Sequence, residues 1–176
     1  MKKFVFITIL LIFTTVTYAQ QLSGSFQALA GAGRAKVEVD YSKVSIHGMT
    51  EADFAIYEKD WMVDKDDITD RFIGKMQDKF QTKLLLGNFP NAKYTIVIQV
   101  LVFTTNGSCT CDVVLLDEEN NELGRIANLS TYGGSFGTKL YQIKLGAEHT
   151  GEDVGRLLLR AMQGKKLHFS SCYSLD

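Results

Sequence analysis

Only one stretch of this 176-residue chain has the residue types and spacing of a catalytic motif. Gly133-Gly134-Ser135-Phe136-Gly137 matches the nucleophile-elbow pattern, in which glycines permit a sharp strand-to-helix turn that holds a serine proud of a sheet. Asp153 and His168 follow in the chain order that a Ser-Asp-His triad on that elbow requires. The chemistry would be acyl transfer, a small serine hydrolase using Ser135. The elbow, however, belongs to a large parallel sheet with helical crossovers between the triad members. After Ser135 this chain has room for one helix and a short tail, so a tightly turned glycine loop is the better reading. No catalytic residue is assigned on this basis.

Other chemistry has less to stand on. His47, His149 and His168 are scattered, with neither an HExxH pair nor a Cys/His cluster, and each reads as a surface or capping histidine. Asp117, Glu118 and Glu119 lack the alternating ligands and closing glutamate of a calcium loop and read as a solvated turn. Gly31 and Gly33 precede a strand instead of following one, and no Walker or GxGxxG pattern is present. No cofactor and no metal is therefore expected. Asn106 and Asn128 stand in N-x-S sequons, which matter only in a host that glycosylates. Cys109 and Cys111, two apart on one strand, point to the same face at a separation that disfavours a mutual disulfide. Cys172, in the tail, is left either to bridge one of them or to stay reduced.

The amino terminus sets the compartment. Met1-Lys2-Lys3 is a cationic start, Phe4 to Phe13 is an apolar run broken only by Thr8, and Thr17-Tyr18-Ala19 supplies small residues at the −3 and −1 positions of a cleavage site before Gln20. Residues 1–19 thus read as a signal peptide and 20–176 as a single exported domain, periplasmic or secreted. The run is too short for a bilayer span, which needs roughly 20 residues. No cysteine at the cleavage site marks an acylated lipoprotein. Taking 19 from 176 leaves 157 residues, and with Lys2 and Lys3 gone 17 basic side chains face 20 acidic ones. That balance gives no electrostatic case for nucleic acid or for an anionic membrane surface.

The elements that would position any site follow from periodicity. Lys36 to Tyr41 alternates as a half-buried strand, with Val37, Val39 and Tyr41 inward. Thr50-Glu51-Ala52-Asp53 reads as a capping box before a short helix carrying Phe54, Tyr57 and Trp61. After a connection over Asp60 to Asp67, Ile68, Phe72, Ile73, Met76, Phe80 and Leu84 recur at helical spacing. Asp66, Asp67 and Asp70 sit early in that pattern and Lys75, Lys79 and Lys83 late, which suits the helix dipole. Tyr94 to Thr105 is a long strand apolar enough on both faces to lie near the middle of a sheet. Asn106-Gly107 predicts a hairpin with positive φ at both central residues, returning over Ser108 to Asp117; a second turn at Glu118 to Asn121 leads into Leu123 to Ser130. Thr150-Gly151-Glu152-Asp153 then reads as the start of a last helix, with Val154, Leu157, Leu158 and Ala161 on one face. Gly155 inside it marks close approach to a neighbouring backbone.

The block from Tyr94 through the Asn106-Gly107 hairpin, Cys109 to Asp117, Leu123 to Ser130 and Gly155-Arg156-Leu157-Leu158 resembles small exported α/β domains of envelope-assembly factors. These include the TolB amino-terminal domain and the curli-secretion and penicillin-binding-protein-activator lipoproteins. The resemblance covers roughly residues 65 to 162 and is carried by structural motifs. It implies an exported, non-enzymatic binding or assembly module that meets an unknown protein or envelope component; the charge balance and the short apolar run add that no nucleic acid and no membrane span in the mature chain are expected. A self-associating structural protein is the other non-enzymatic alternative. The expected fold is α+β or α/β, one domain with a mixed or largely antiparallel sheet and helices mainly on one face.

Overall fold

The computed structural model describes residues 20–134, 136–165 and 167. Its strands are β1 (Gln21–Gly24), β2 (Arg34–Asp40), β3 (Ser45–Ile46), β4 (Met49–Thr50), β5 (Leu85–Gly87), β6 (Thr95–Phe103), β7 (Cys109–Leu116) and β8 (Glu122–Thr131). The α-helices are α1 (Glu51–Tyr57), α2 (Trp61–Phe80) and α3 (Lys139–Met162). The fold is α+β, built on one mixed sheet ordered β1-β8-β7-β6-β2-β5, with the small β3-β4 hairpin joined to the end of β6. The meander β6-β7-β8 is antiparallel, as its two turns demand, and β1 extends it on one side. On the other side β2 runs parallel to β6 and β5 parallel to β2.

β6 sits in the interior of the sheet because it is apolar on both faces. Ile96, Ile98 and Val100 point to the core, and a bulge between Val100 and Val102 then shifts the alternation. Phe103, not Val102, is consequently the next buried residue, a change of face that strict period-2 reading misses. Val37, Cys109, Cys111, Val113, Leu115 and Ile126 join them beneath Ile68, Phe72 and Met76 of α2 and Val154, Leu157 and Leu158 of α3. On the opposite sheet face Val97 and the buried Val114 lie beside a polar cluster, in which Arg125 donates from Nη1 to Asp112 Oδ2 at 3.0 Å and to Gln99 Oε1 at 3.4 Å.

The hairpins form with a different turn from the one the sequence predicts. In the first, Thr104 N–H donates to Ser108 O and Gly107 N–H to Thr104 O, so the loop has three residues and only Gly107 (φ 74°) is left-handed. This is a type I turn closed by a bulge. Asn106 serves through its side chain, whose Oδ1 accepts from Thr104 Oγ1, Ser108 N–H and Ser108 Oγ. The second hairpin repeats the design with Asn120 (φ 64°) in place of Gly107 and Asp117 Oδ1 accepting from the amides of Glu119 and Asn121. Those bonds, the Asn121 side chain first, hold the Asp117 carboxyl below its usual range, as befits a solvated turn.

Three helix boundaries differ from expectation. α2 starts at Trp61, so Asp66, Asp67 and Asp70 lie inside it and do not cap it. It ends at Phe80, where Gln81 turns to φ 52°, and Leu84 is buried from the following segment, outside the helix. α3 starts at Lys139, with Thr138 Oγ1 accepting from Tyr141 N–H. Thr150 is therefore a mid-helix residue that donates to Gly146 O at 2.6 Å and meets Thr131 Oγ1 at 2.5 Å. The capping-box pattern Thr150 to Asp153 is coincidental.

Candidate functional site

Ser135 and His168 lie outside the described residues, and so does Cys172. Asp153, the third residue of the nominated triad, accepts from Arg156 Nη2 at 2.6 Å on the exposed side of α3. The glycines flanking Ser135 have a packing reason. Gly134 N–H donates to Asn106 O at 3.0 Å and Gly133 N–H to Ser108 Oγ at 3.2 Å, and a Cβ on Gly133 would occupy the space of the Asn106 carbonyl. Gly133 and Gly134 are thereby held against the β6-β7 hairpin. Cys109 and Cys111 are free, buried thiols; the hydrogen bond between them and then burial push the Cys111 thiol up, away from reactivity. No group of three or more His, Cys, Asp or Glu side chains is placed to hold a metal among the described residues. His149 stays a surface residue, its Nδ1 2.9 Å from Tyr132 O.

His47 departs from the surface role. It occupies the tight β3-β4 turn at φ 54°, with its ring edge-on to Phe54 at 5.3 Å. Neither ring nitrogen has a hydrogen-bond partner, although both are sealed from solvent. The ring is one end of an aromatic chain that continues through Phe54, Trp61 and Tyr41 at centroid distances of 5.2 and 6.3 Å. Polar groups fix the other end. Trp61 Nε1 donates to Glu51 Oε1 at 3.1 Å, the same oxygen binds Lys65 Nζ at 2.6 Å, and Lys65 lies over the Tyr41 ring at 4.8 Å. Burial raises the Tyr41 hydroxyl above its ordinary range, so it remains protonated beside Thr69 Oγ1 at 3.0 Å.

Outside this buried chain the surface exposes large apolar side chains. On the outward side of the α1-α2 junction, Ile56 is 78% exposed, Tyr57 62%, Met62 62% and Val63 77%. Lys139 Nζ stands 4.8 Å from the Tyr57 ring centre and so brings the start of α3 alongside. There Tyr141 and Phe136 are also exposed. Tyr57 is thus part of an outward rim and not of the inward stripe with Phe54 and Trp61, as the sequence suggested. Ile56, Met62 and Val63 carried no signal as a set because they fall on either side of a helix break at Glu58 to Asp60. Their one legible mark is that they are apolar and off the stripe that Phe54, Trp61 and Ile68 define. Adjacent apolar side chains of this size left in water are the feature of the described surface that points most directly to contact with another molecule.

No family model matches the chain, and no curated protein matches it. Among solved structures it is similar to the PelC dodecamer from Paraburkholderia phytofirmans, at 12% identity over 76% of this chain and 97% of that one, with a TM-score of 0.40. A variant PelC dodecamer from the same organism gives 14% identity, 81% and 99% coverage and a TM-score of 0.43. A Xanthomonas campestris protein of family-model DUF330 gives 11% identity, 74% and 86% coverage and a TM-score of 0.44. Likeness at this level carries no statement about what this chain binds.

Proposed function

We propose that the chain is an exported, non-enzymatic binding or assembly module of the bacterial envelope, working by contact with another envelope component. The carrying observation is the exposure of Ile56, Tyr57, Met62 and Val63 beside the buried Phe54 and Trp61, apolar side chains for which the interior had no use. Export rests on the Met1 to Ala19 pattern, and the resemblance to envelope-assembly domains supports the same reading. No described helix is long and apolar enough to cross a membrane.

The test is photo-crosslinking in cells, with a photoreactive residue at Ile56 or Val63 and a control at the exposed Asp78 on the same helix system. Adducts to one partner from 56 and 63 but not from 78 are expected. Equal or absent adducts at all three positions overturn the contact role, and adducts only to the chain itself replace a foreign partner with self-association. Labelling by a serine-directed fluorophosphonate that disappears in Ser135→Ala overturns the non-enzymatic part.

A further inference from the structure

The far end of the molecule has the opposite character. A cleft of about 550 Å³ opens beside the amino-terminal ends of β2, β5 and β6, within the size range of small-ligand sites, roughly 300–1,000 Å³. Arg34 and Lys93 line it together with Asn91, Tyr94 and the bare backbone of Gly31 and Gly33. We propose that this cleft is a binding site for an anionic group, a carboxylate or a phosphate, held between Arg34 and Lys93.

Three observations carry the assignment. The first is charge. Residues 1–37 and 79–111 contain no aspartate or glutamate at all, and the cleft lies between these two stretches. In a chain whose acids and bases otherwise balance, the charged side chains that line it are both cations. Among the other cations of these stretches Lys36 and Lys79 have partners in Glu38 and Glu152, while Lys83, which does not line the cleft, forms no ion pair among the described residues. Arg34 and Lys93 form no ion pair among the described residues; each instead rests over an aromatic ring, Phe89 at 5.9 Å and Tyr94 at 5.5 Å. A cation held against a ring is kept in place without being neutralised, so its donors stay available for an incoming anion.

The second observation is Gly33. It has no left-handed φ, and a Cβ built on it meets nothing within 4 Å, so neither the fold nor the packing requires glycine there. What the missing side chain leaves is open space over the backbone on the cleft wall. The third is the closed edge of β5. Leu85 N–H donates to Gly33 O, and on the free side Leu86 N–H is taken by Gln77 Oε1 at 2.7 Å, while Gln77 Nε2 donates to Leu84 O. The strand bordering the cleft is thereby satisfied by its own chain, which leaves side-chain cations, not a hungry sheet edge, as the recognising groups.

The experiment follows backbone amide shifts of the mature chain on titration with pyrophosphate and, separately, citrate, at fixed ionic strength set by chloride. The expected result is saturable shifts confined to residues 28–34 and 91–94 with one of the two probes, which identifies phosphate or carboxylate as the preferred chemistry. Binding should weaken by about tenfold or more in Arg34→Gln or Lys93→Gln, as loss of a charge-assisted donor requires. Gly33→Leu, which fills the open space, should abolish the shifts while leaving Trp61 fluorescence and the unfolding midpoint unchanged. No saturable shift with either probe overturns the site. So do shifts that survive Arg34→Gln together with Lys93→Gln, or that appear equally around Lys43 and Lys59 at the other end.

Discussion

A Cβ on Gly155 of α3 would stand 2.8 Å from the carbonyl oxygen of Met76 on α2, closer than any side chain tolerates. One turn earlier, Gly151 meets the Phe72 carbonyl more tightly still. The two helices therefore run side by side with backbone nearly touching backbone, and the glycines in α3 are the condition for that contact. Gly151→Ala is expected to destabilise the protein by about 1–3 kcal/mol through overpacking against a peptide group that cannot move aside. Gly74, on the exposed side of α2, meets nothing within 4 Å. Gly74→Ala should accordingly gain about 0.5–1 kcal/mol from helix propensity alone. Urea midpoints read from the single, buried Trp61 distinguish the two, and the opposite signs are the check.

The β6-β7 hairpin gives a second graded pair. Gly107 has φ 74°, and a Cβ on it would collide with the Gln142 carbonyl of α3. Gly107→Ala should cost more than about 1 kcal/mol, since the backbone strain and the collision add. Asn106 is not left-handed and contributes acceptor bonds only. Asn106→Ala should cost about 0.5–1.5 kcal/mol, the net worth of a lost hydrogen bond. A larger loss at Asn106 than at Gly107 in denaturant unfolding would mean that the bonds to Asn106 Oδ1, and not the left-handed glycine, hold the turn.

These two cases show what the chain makes legible. Thr50 was readable as a cap because Asp53 and then Phe54 follow it at the right spacing, and its hydroxyl does accept from Asp53 N–H. Thr150 offered the same spacing and misled, since nothing local distinguishes a cap from a threonine turned inward onto Gly146 and Thr131. The first eleven residues of α3 were hidden by Gly146 and Gly151, which weaken a helical pattern in sequence while serving close contacts made by distant parts of the chain. The same holds for the rim and the cleft. Arg34 and Lys93 line one cleft only through tertiary placement, and Ile56 and Val63 are left outward on either side of a helix break, so neither set has a spacing to read.

Lys144 ties α3 to α2 by reaching both Asp64 Oδ1 at 2.6 Å and Asp67 Oδ2 at 2.8 Å. The hydrogen bond from Lys144, then that from Arg71, holds the Asp67 carboxyl below its ordinary 3.8, and the two aspartates, Asp64 first, raise the ammonium above its ordinary 10.5. A carboxyl depressed in the folded state contributes stability that is complete above 3.8 and is lost as pH falls through the lower folded value. An ammonium raised in the folded state contributes stability that is complete below 10.5 and is lost as pH rises through the higher one. Lys144→Met should therefore be less stable than the parent across neutral pH, and the difference should shrink at both extremes. Because the cluster is partly exposed, 150 mM salt should reduce the difference as well. A difference that is constant from acid to alkaline pH would assign the role of Lys144 to its aliphatic stem.

His47 predicts a separate response at milder acidity. Burial first, and the Lys139 charge of α3 second, push the imidazole below its ordinary 6.5, while Glu58 at the end of α1 pulls the other way. The ring nitrogens do not reach hydrogen-bond geometry with the nearby Thr104 backbone, so no acceptor rewards protonation in the folded state. The unfolded chain takes up this proton more readily than the folded one. Stability from the neutral ring is hence complete above 6.5 and declines as pH falls from 6.5 toward the lower folded value, below which it levels off. Asparagine tolerates the left-handed backbone at this turn and does not titrate, so His47→Asn keeps the geometry and removes the proton. The parent should lose stability relative to His47→Asn as pH falls below 6.5, where the unfolded chain takes up the proton before the folded one does. Thermal unfolding midpoints of the two proteins measured in parallel over that range test it. A gap that opens instead above pH 6.5 would mean that the folded state prefers the imidazolium, and that the Glu58 side of the turn outweighs burial.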